Sequence, residues 1–274
     1  MSNNAHDFMS EESPTAQALV NKNQALRWIY LWGYTTAAIL QLVLRHAGMS
    51  WTTGAVARGW LRKTPITARD RIRVLTLTER SLAWVEQRSD VLLKYSELDP
   101  HRISALTINH QLLAQRITIH AARSGEISSH LTERVLAARS ELGVKQPDVL
   151  WLTKAGQRIG VEVELTGKWD RRFDEFLLKT INSLSTEDDS GPSKVEYVLI
   201  TTTSKAILSR YKLAFRAGQP FRTWRTSPKG ASSVDGVREM PDWVSARMLF
   251  RLVDENGETI ASPLNVDLRH DQDQ

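Results

Sequence analysis

Cysteine is absent from this 274-residue chain, which excludes a disulfide scaffold, a thiolate metal site and cysteine nucleophile chemistry, and agrees with a reducing cytosol. A basic-then-apolar leader is also missing. The first residues, 1–13, are polar and acidic, so no signal peptide and a cytoplasmic protein are expected. Long apolar runs are lacking too. Residues 25–44 come closest to a membrane span in length, but Arg27 and Gln41 interrupt them, and Gly33-Tyr34-Thr35-Thr36 reads as a helix stop followed by a new N-cap. No membrane insertion is expected. Adjacent histidines, a His-x-His triplet and zinc-ligand spacing are all missing, so His101, His110, His120 and His130 read as ordinary surface or core histidines. No internal repeat is present.

The composition, 41% hydrophobic and 24% charged, fits a globular chain with a real core. The length suits two domains. Net charge is +5, from 36 Lys and Arg against 31 Asp and Glu, and the excess is concentrated. Residues 45–80 hold eight basic residues (Arg45, Arg58, Arg62, Lys63, Arg69, Arg71, Arg73 and Arg80) against Asp70 and Glu79, a net of +6. The remainder of the chain is close to neutral. A basic segment is usually just a solvated face, so the pattern around it decides its meaning.

That pattern is three short helices with tight turns, expected over 15–32, 36–46 and 51–63, with Ser50 as the cap of the third. After Pro65 the period changes to two: Arg69, Arg71 and Arg73 alternate with Ile72 and Val74, as in a strand with one cationic face. Thr78 then caps a further helix. The order resembles a winged helix-turn-helix, spanning 15–92, which implies a double-stranded DNA partner. Arg58, Arg62 and Lys63 on the third helix, with Arg69, Arg71 and Arg73 on the wing, would meet phosphates, and the candidates for base edges are Ser50, Thr52, Thr53 or Arg58, none assigned to a base. Winged helices also serve as protein-interaction modules. Trp51, Trp60 and Trp84 are expected to be core aromatics.

The second part, 97–222, carries the candidate chemistry. Residues 100–123 and 129–142 read as amphipathic helices. Gln146-Pro147-Asp148 then opens an apolar strand, and a turn at Lys154-Ala155-Gly156-Gln157 leads into Arg158-Ile159-Gly160-Val161-Glu162-Val163-Glu164-Leu165. This is the pattern of a β-hairpin. On a strand, positions i and i+2 share a face, so Glu162 and Glu164 project together, and the hairpin returns Asp148 towards them. Three converging carboxylates repel one another unless a divalent cation neutralises them. The plainer reading is a pair of solvent-facing glutamates answered by Arg158, Lys168 or Arg171.

Helix, strand, strand, a helix over 169–184 and a strand over 194–201 follow the αββαβ order of PD-(D/E)xK nucleases. Pro147-Asp148 with Glu162-Val163-Glu164 resembles their signature, Glu164 standing where a lysine is usual. Together with the N-terminal domain and Thr132-Glu133-Arg134, this resembles MobC-type plasmid mobilisation proteins and the related replication-relaxation proteins over roughly 25–205. The fold class expected is therefore α/β (mixed α+β), a winged helix followed by a restriction-endonuclease-like domain. The resemblance implies a relaxase that nicks DNA at a plasmid transfer origin, with Asp148, Glu162 and Glu164 holding Mg²⁺ or Mn²⁺. Lys168 would be the phosphate or nucleophile partner, Glu133 an outer ligand, and a coupling or accessory mobilisation protein the partner. A non-catalytic regulator of plasmid replication or transfer and a restriction-type defence endonuclease stand as alternatives. Residues 223–274 are expected to form a flexible loop over 224–241 and a closing hairpin over 248–264. The tails, 1–14 and 268–274, are expected to be disordered.

Overall fold

The structure, a computed structural model, describes residues 14–45, 48–66, 72–139, 146–184, 195–227 and 230–261. Outside them lie the expected tails apart from Pro14, the wing residues Arg69 and Arg71, the end of the helix expected to reach 142, the first residue of the strand expected over 194–201, and 262–264 of the closing hairpin. The chain mixes helices and strands and divides into two compact units at Ile103 and Ser104.

In the first unit, α1 (Pro14–Trp32) is stopped by Gly33, whose φ of +85° suits glycine, and α2 (Ala37–Leu44) starts on the Thr36 hydroxyl, which accepts from the Ile39 N–H. The third helix differs from expectation. α3 (Gly48–Ala57) begins before Ser50 and ends at Ala57, and Gly59, at φ +69°, turns the chain into β1 (Leu61–Pro65). β1 pairs antiparallel with β2 (Arg73–Leu77), Leu61 facing Leu77 and Pro65 facing Arg73. Leu61, Val74, Leu75 and Leu77 are buried, and that pairing overrides the helical pattern read through 63. Thr35 adds a bridge to Leu75. α4 (Glu79–Glu86) follows a Thr78–Ser81 capping box. Two buried tyrosines fix the exit: Leu93 N–H donates to the Tyr30 hydroxyl at 2.7 Å and Leu77 N–H to the Tyr95 hydroxyl at 2.9 Å. Trp51, Trp60 and Trp84 are only half-buried, which corrects their expected core role; Trp32 occupies the core.

The second unit is built on a six-stranded mixed sheet. α5 (Ile108–Ser124) leads into β3 (Ser129–Thr132) and α6 (Glu133–Arg139), where one helix from 129 was expected. β4 (Val149–Leu152), β5 (Arg158–Val163), α7 (Asp170–Ser183), β6 (Tyr197–Thr202) and α8 (Lys205–Ala214) follow. β7 (Pro220–Thr226) and β8 (Ser232–Glu239) form a separate hairpin, which corrects the loop expected over 224–241. α9 (Asp242–Ser245), β9 (Met248–Val253) and β10 (Thr259–Ala261) complete the described chain. The sheet order is β10-β9-β6-β5-β4-β3, with β5, β6 and β9 parallel and the outer neighbours antiparallel. β9 and β10, within the closing hairpin expected over 248–264, pair with each other and belong to this sheet.

Alternation sets the two faces. Trp151, on β4, donates its indole N–H to Thr118 of α5 at 3.0 Å. Leu150, Val198 and Ile200 face the other way, into a core with Phe173, Phe176 and Leu177 of α7 and Tyr211 of α8. The β5–α7–β6 connection is the helical crossover that a parallel pair requires. No described helix is long and apolar enough to cross a membrane.

Candidate functional site

The β4–β5 hairpin turns at Gly156, at φ +82°, with Thr153 N–H donating to the Gln157 carbonyl at 3.0 Å. At its open end, β5 brings Glu162 and Glu164 to the face covered by α7 and α8. Glu162 stands beside Ile200 in the β5–β6 register, and Glu164 N–H donates to the Thr201 carbonyl at 2.8 Å. Neither is solvent-facing: Glu162 is 8% and Glu164 4% exposed. A carboxylate so far removed from water needs a compensating charge or donors. Glu164 has one in Lys168, whose Nζ bonds Glu164 Oε1 and lies 4.5 Å from the centre of the Phe176 ring.

Asp148 stands where β4 begins and β5 ends. Its Oδ2 accepts the Val163 N–H at 2.7 Å and lies 3.0 Å from Nε2 of His110, in the first turn of α5. Glu133, exposed at the head of α6, donates its backbone N–H to the Asp148 carbonyl at 3.3 Å. The fold thus places Asp148, Glu162, Glu164, Lys168 and Glu133 at one end of the hairpin, joined pairwise rather than as one cluster. His110 and Tyr211 join them, and sequence reasoning missed both. His110 lies in a separate helix with no spacing signal, and Tyr211 is wholly buried in α8.

The titrations follow from these neighbours. Burial pulls the His110 pKa down, but the hydrogen bond and charge of Asp148, helped by the Glu164 charge and a bond to the Val163 backbone, outweigh it and hold it above the usual 6.5. Burial, reinforced by the Glu164 carboxylate, pushes the Tyr211 phenol well above its ordinary value. Among the described residues, no three His, Asp or Glu side chains are grouped closely enough to hold a metal ion. The donor chemistry nevertheless fits one: three carboxylates are the hard oxygen ligands that Mg²⁺ and Mn²⁺ take.

The residues expected to touch DNA fall in the first unit. Thr53, at the centre of α3, and Arg58, just past its end, are exposed. Thr52 is 5% exposed and turned inward, which leaves it unable to reach a base edge without rearrangement. Arg62 and Lys63 lie exposed on β1 rather than on the helix, and Arg62 Nη1 donates to the Leu98 carbonyl at 2.7 Å. Arg73 is exposed at the head of β2; Arg69 and Arg71 lie outside the described residues.

Compared with known proteins, the chain matches no family model, no curated protein and no solved structure.

Proposed function

We propose that this chain is a DNA-binding plasmid mobilisation protein that nicks one strand at a transfer origin, using a metal-dependent, restriction-endonuclease-like site. The observation that carries the reading is the placement of Asp148, Glu162 and Glu164 at the same end of the β4–β5 hairpin, with Lys168 on Glu164. The run α5, β4, β5, α7, β6 supports it, having the helix–strand–strand–helix–strand order of PD-(D/E)xK nucleases with β3 and α6 inserted. In the first unit, three helices, a hairpin and a further helix support a winged helix-turn-helix whose phosphate contacts are Arg58, Arg62, Lys63 and Arg73.

Asp148, Glu162 and Glu164 would hold Mg²⁺ or Mn²⁺, which supplies a polarised phosphoryl oxygen and an activated water. This chain's own groups do the remaining work. Lys168 offers an ammonium where charge builds on the phosphate. His110 keeps Asp148 oriented, and the Val163 N–H fixes the same carboxylate from the strand. Glu133, beside Asp148, would act as an outer ligand.

One observation favours a second reading, a non-catalytic DNA-binding regulator. Asp148 and Glu164 are each already answered by a cation of this chain, His110 and Lys168, so the arrangement is stable as it stands. Two assays separate the readings: duplex binding at low salt, and Mg²⁺- or Mn²⁺-dependent relaxation of supercoiled plasmid with and without its transfer origin. Origin-dependent nicking that Asp148→Ala and Glu162→Ala abolish supports the relaxase. Nicking indifferent to the origin supports a defence endonuclease. Tight binding with no nicking leaves the regulator.

A further inference from the structure

The first unit carries a second cationic feature, which joins Arg80, at the end of the charged run 45–80, to cations outside that run. Lys22 of α1 lies between two indoles, its Nζ 3.4 Å from the ring centres of both Trp60 and Trp84. Arg80 covers Trp60 at 4.2 Å and Arg88 covers Trp84 at 3.7 Å. The indoles meet edge to face at 5.7 Å, and Trp84 is pinned by donating its N–H to Asn23 at 3.1 Å. A cleft of about 190 Å³ opens beside them, lined by Asn23, Arg27, Trp84, Val85, Arg88 and Ser89.

Among the described residues, no carboxylate pairs with Lys22, Arg27, Arg80 or Arg88. Cation–π stacking does not remove the mutual repulsion of clustered like charges. That repulsion registers on Lys22, whose pKa is lowered by burial and then by Arg80 and Arg88. Three unanswered cations on a rigid aromatic base, with Arg27 lining the cleft beside them, are arranged for an anion from outside. The cluster is continuous with the basic set already described, because Arg80 Nη1 donates to the Arg58 carbonyl at 3.4 Å and Trp60 immediately precedes β1.

We infer that the Lys22–Arg80–Arg88 band over Trp60 and Trp84, with Arg27 in the cleft beside it, is a second phosphate-binding surface, which takes the backbone of a nucleic acid running on from Arg58. The inference rests on the DNA-binding reading of this unit. Continuity with Arg58 favours a nucleic acid over an acidic peptide, since a single backbone supplies phosphates along the whole band. The contacts are sequence-independent and need no base readout. Duplex and single-stranded DNA present the same phosphodiester chemistry, so both are tested.

The test is the salt dependence of binding of the full-length protein to a short duplex of arbitrary sequence and to one of its single strands. Each lost phosphate contact lowers the slope of log affinity against log salt by roughly 0.9 on duplex and 0.7 on a single strand. Lys22→Gln with Arg88→Gln is expected to lower it by about two such steps on the form that occupies the band, and to weaken binding about tenfold or more at moderate salt. The charge-retaining pair Lys22→Arg with Arg88→Lys should restore the slope, which a merely structural role for these residues would not require. Unchanged slopes in the Gln variant, with Arg58→Gln still lowering them, would overturn the band and leave the DNA-binding reading intact. A wild-type chain that binds neither form at low salt would overturn both. An acidic peptide bound through Lys22 and Arg88, with DNA slopes unaltered, would overturn the nucleic-acid assignment.

Discussion

Lys168, beside the buried Glu164, and His110, beside the half-buried Asp148, each lead to a measurable outcome. Glu164 is 4% exposed and depends on Lys168. Lys168→Met is expected to destabilise the fold by about 1–3 kcal/mol, the cost of leaving a buried polar group unsatisfied, while Lys168→Met with Glu164→Gln should recover part of that loss in urea unfolding. His110 titrates above 6.5 because Asp148 stabilises its charged form. A group whose folded pKa is raised contributes stability fully below its unfolded value and loses it as pH climbs through the folded one. Stability from this pair should therefore be complete below about pH 6.5 and fall above it. Proton NMR of the His110 ring checks the shift, and Asp148→Asn should bring the midpoint back down.

Elements differ in how openly the sequence announces them. The β4–β5 hairpin was legible because apolar strands flank a glycine turn, and the shared face of Glu162 and Glu164 follows from a period of two. β3 was hidden: four residues cannot establish a period, and their partner strand begins 17 residues further on, across α6. β1 was read as helix because its pairing with β2 is non-local. β7 and β8 read as a loop because both faces are largely exposed, which removes the apolar alternation. Their anchor is Asp174 of α7, which accepts from the Arg222 backbone N–H and Nε and from the Trp224 indole. Asp174→Ala should strip three donors of their acceptor and cost about 1–3 kcal/mol. Faster amide exchange across 220–239 would report the loss, whereas unchanged exchange there would deny Asp174 that role.

At the scale of the whole molecule, charge and chemistry are divided between two units. The first holds the exposed cations just past α3 and on β1 and β2, together with the indole-stacked band. That band was invisible in the sequence because Lys22 and Arg88 lie outside the basic run and meet only through the packing of α1 on α4. The second holds the acidic set, whose residue types were legible but whose cationic partner on α5 was not. If each unit has its own core, residues 1–103 should retain salt-sensitive DNA binding alone, and 104–274 should retain cooperative unfolding without it; circular dichroism and titration of the two fragments check this.

The relaxase reading turns on whether the acids at the end of β5 carry out chemistry on DNA. The most direct test is single-turnover cleavage of origin DNA by the full chain with Mn²⁺, at protein concentrations that saturate the DNA, so that binding is not in question. The account predicts nicking by the wild type and a loss of at least about 10²-fold in rate for Asp148→Asn and Glu162→Gln, with DNA affinity preserved. Equal rates in the wild type and both variants, or no cleavage by a wild type shown to be bound, would contradict it.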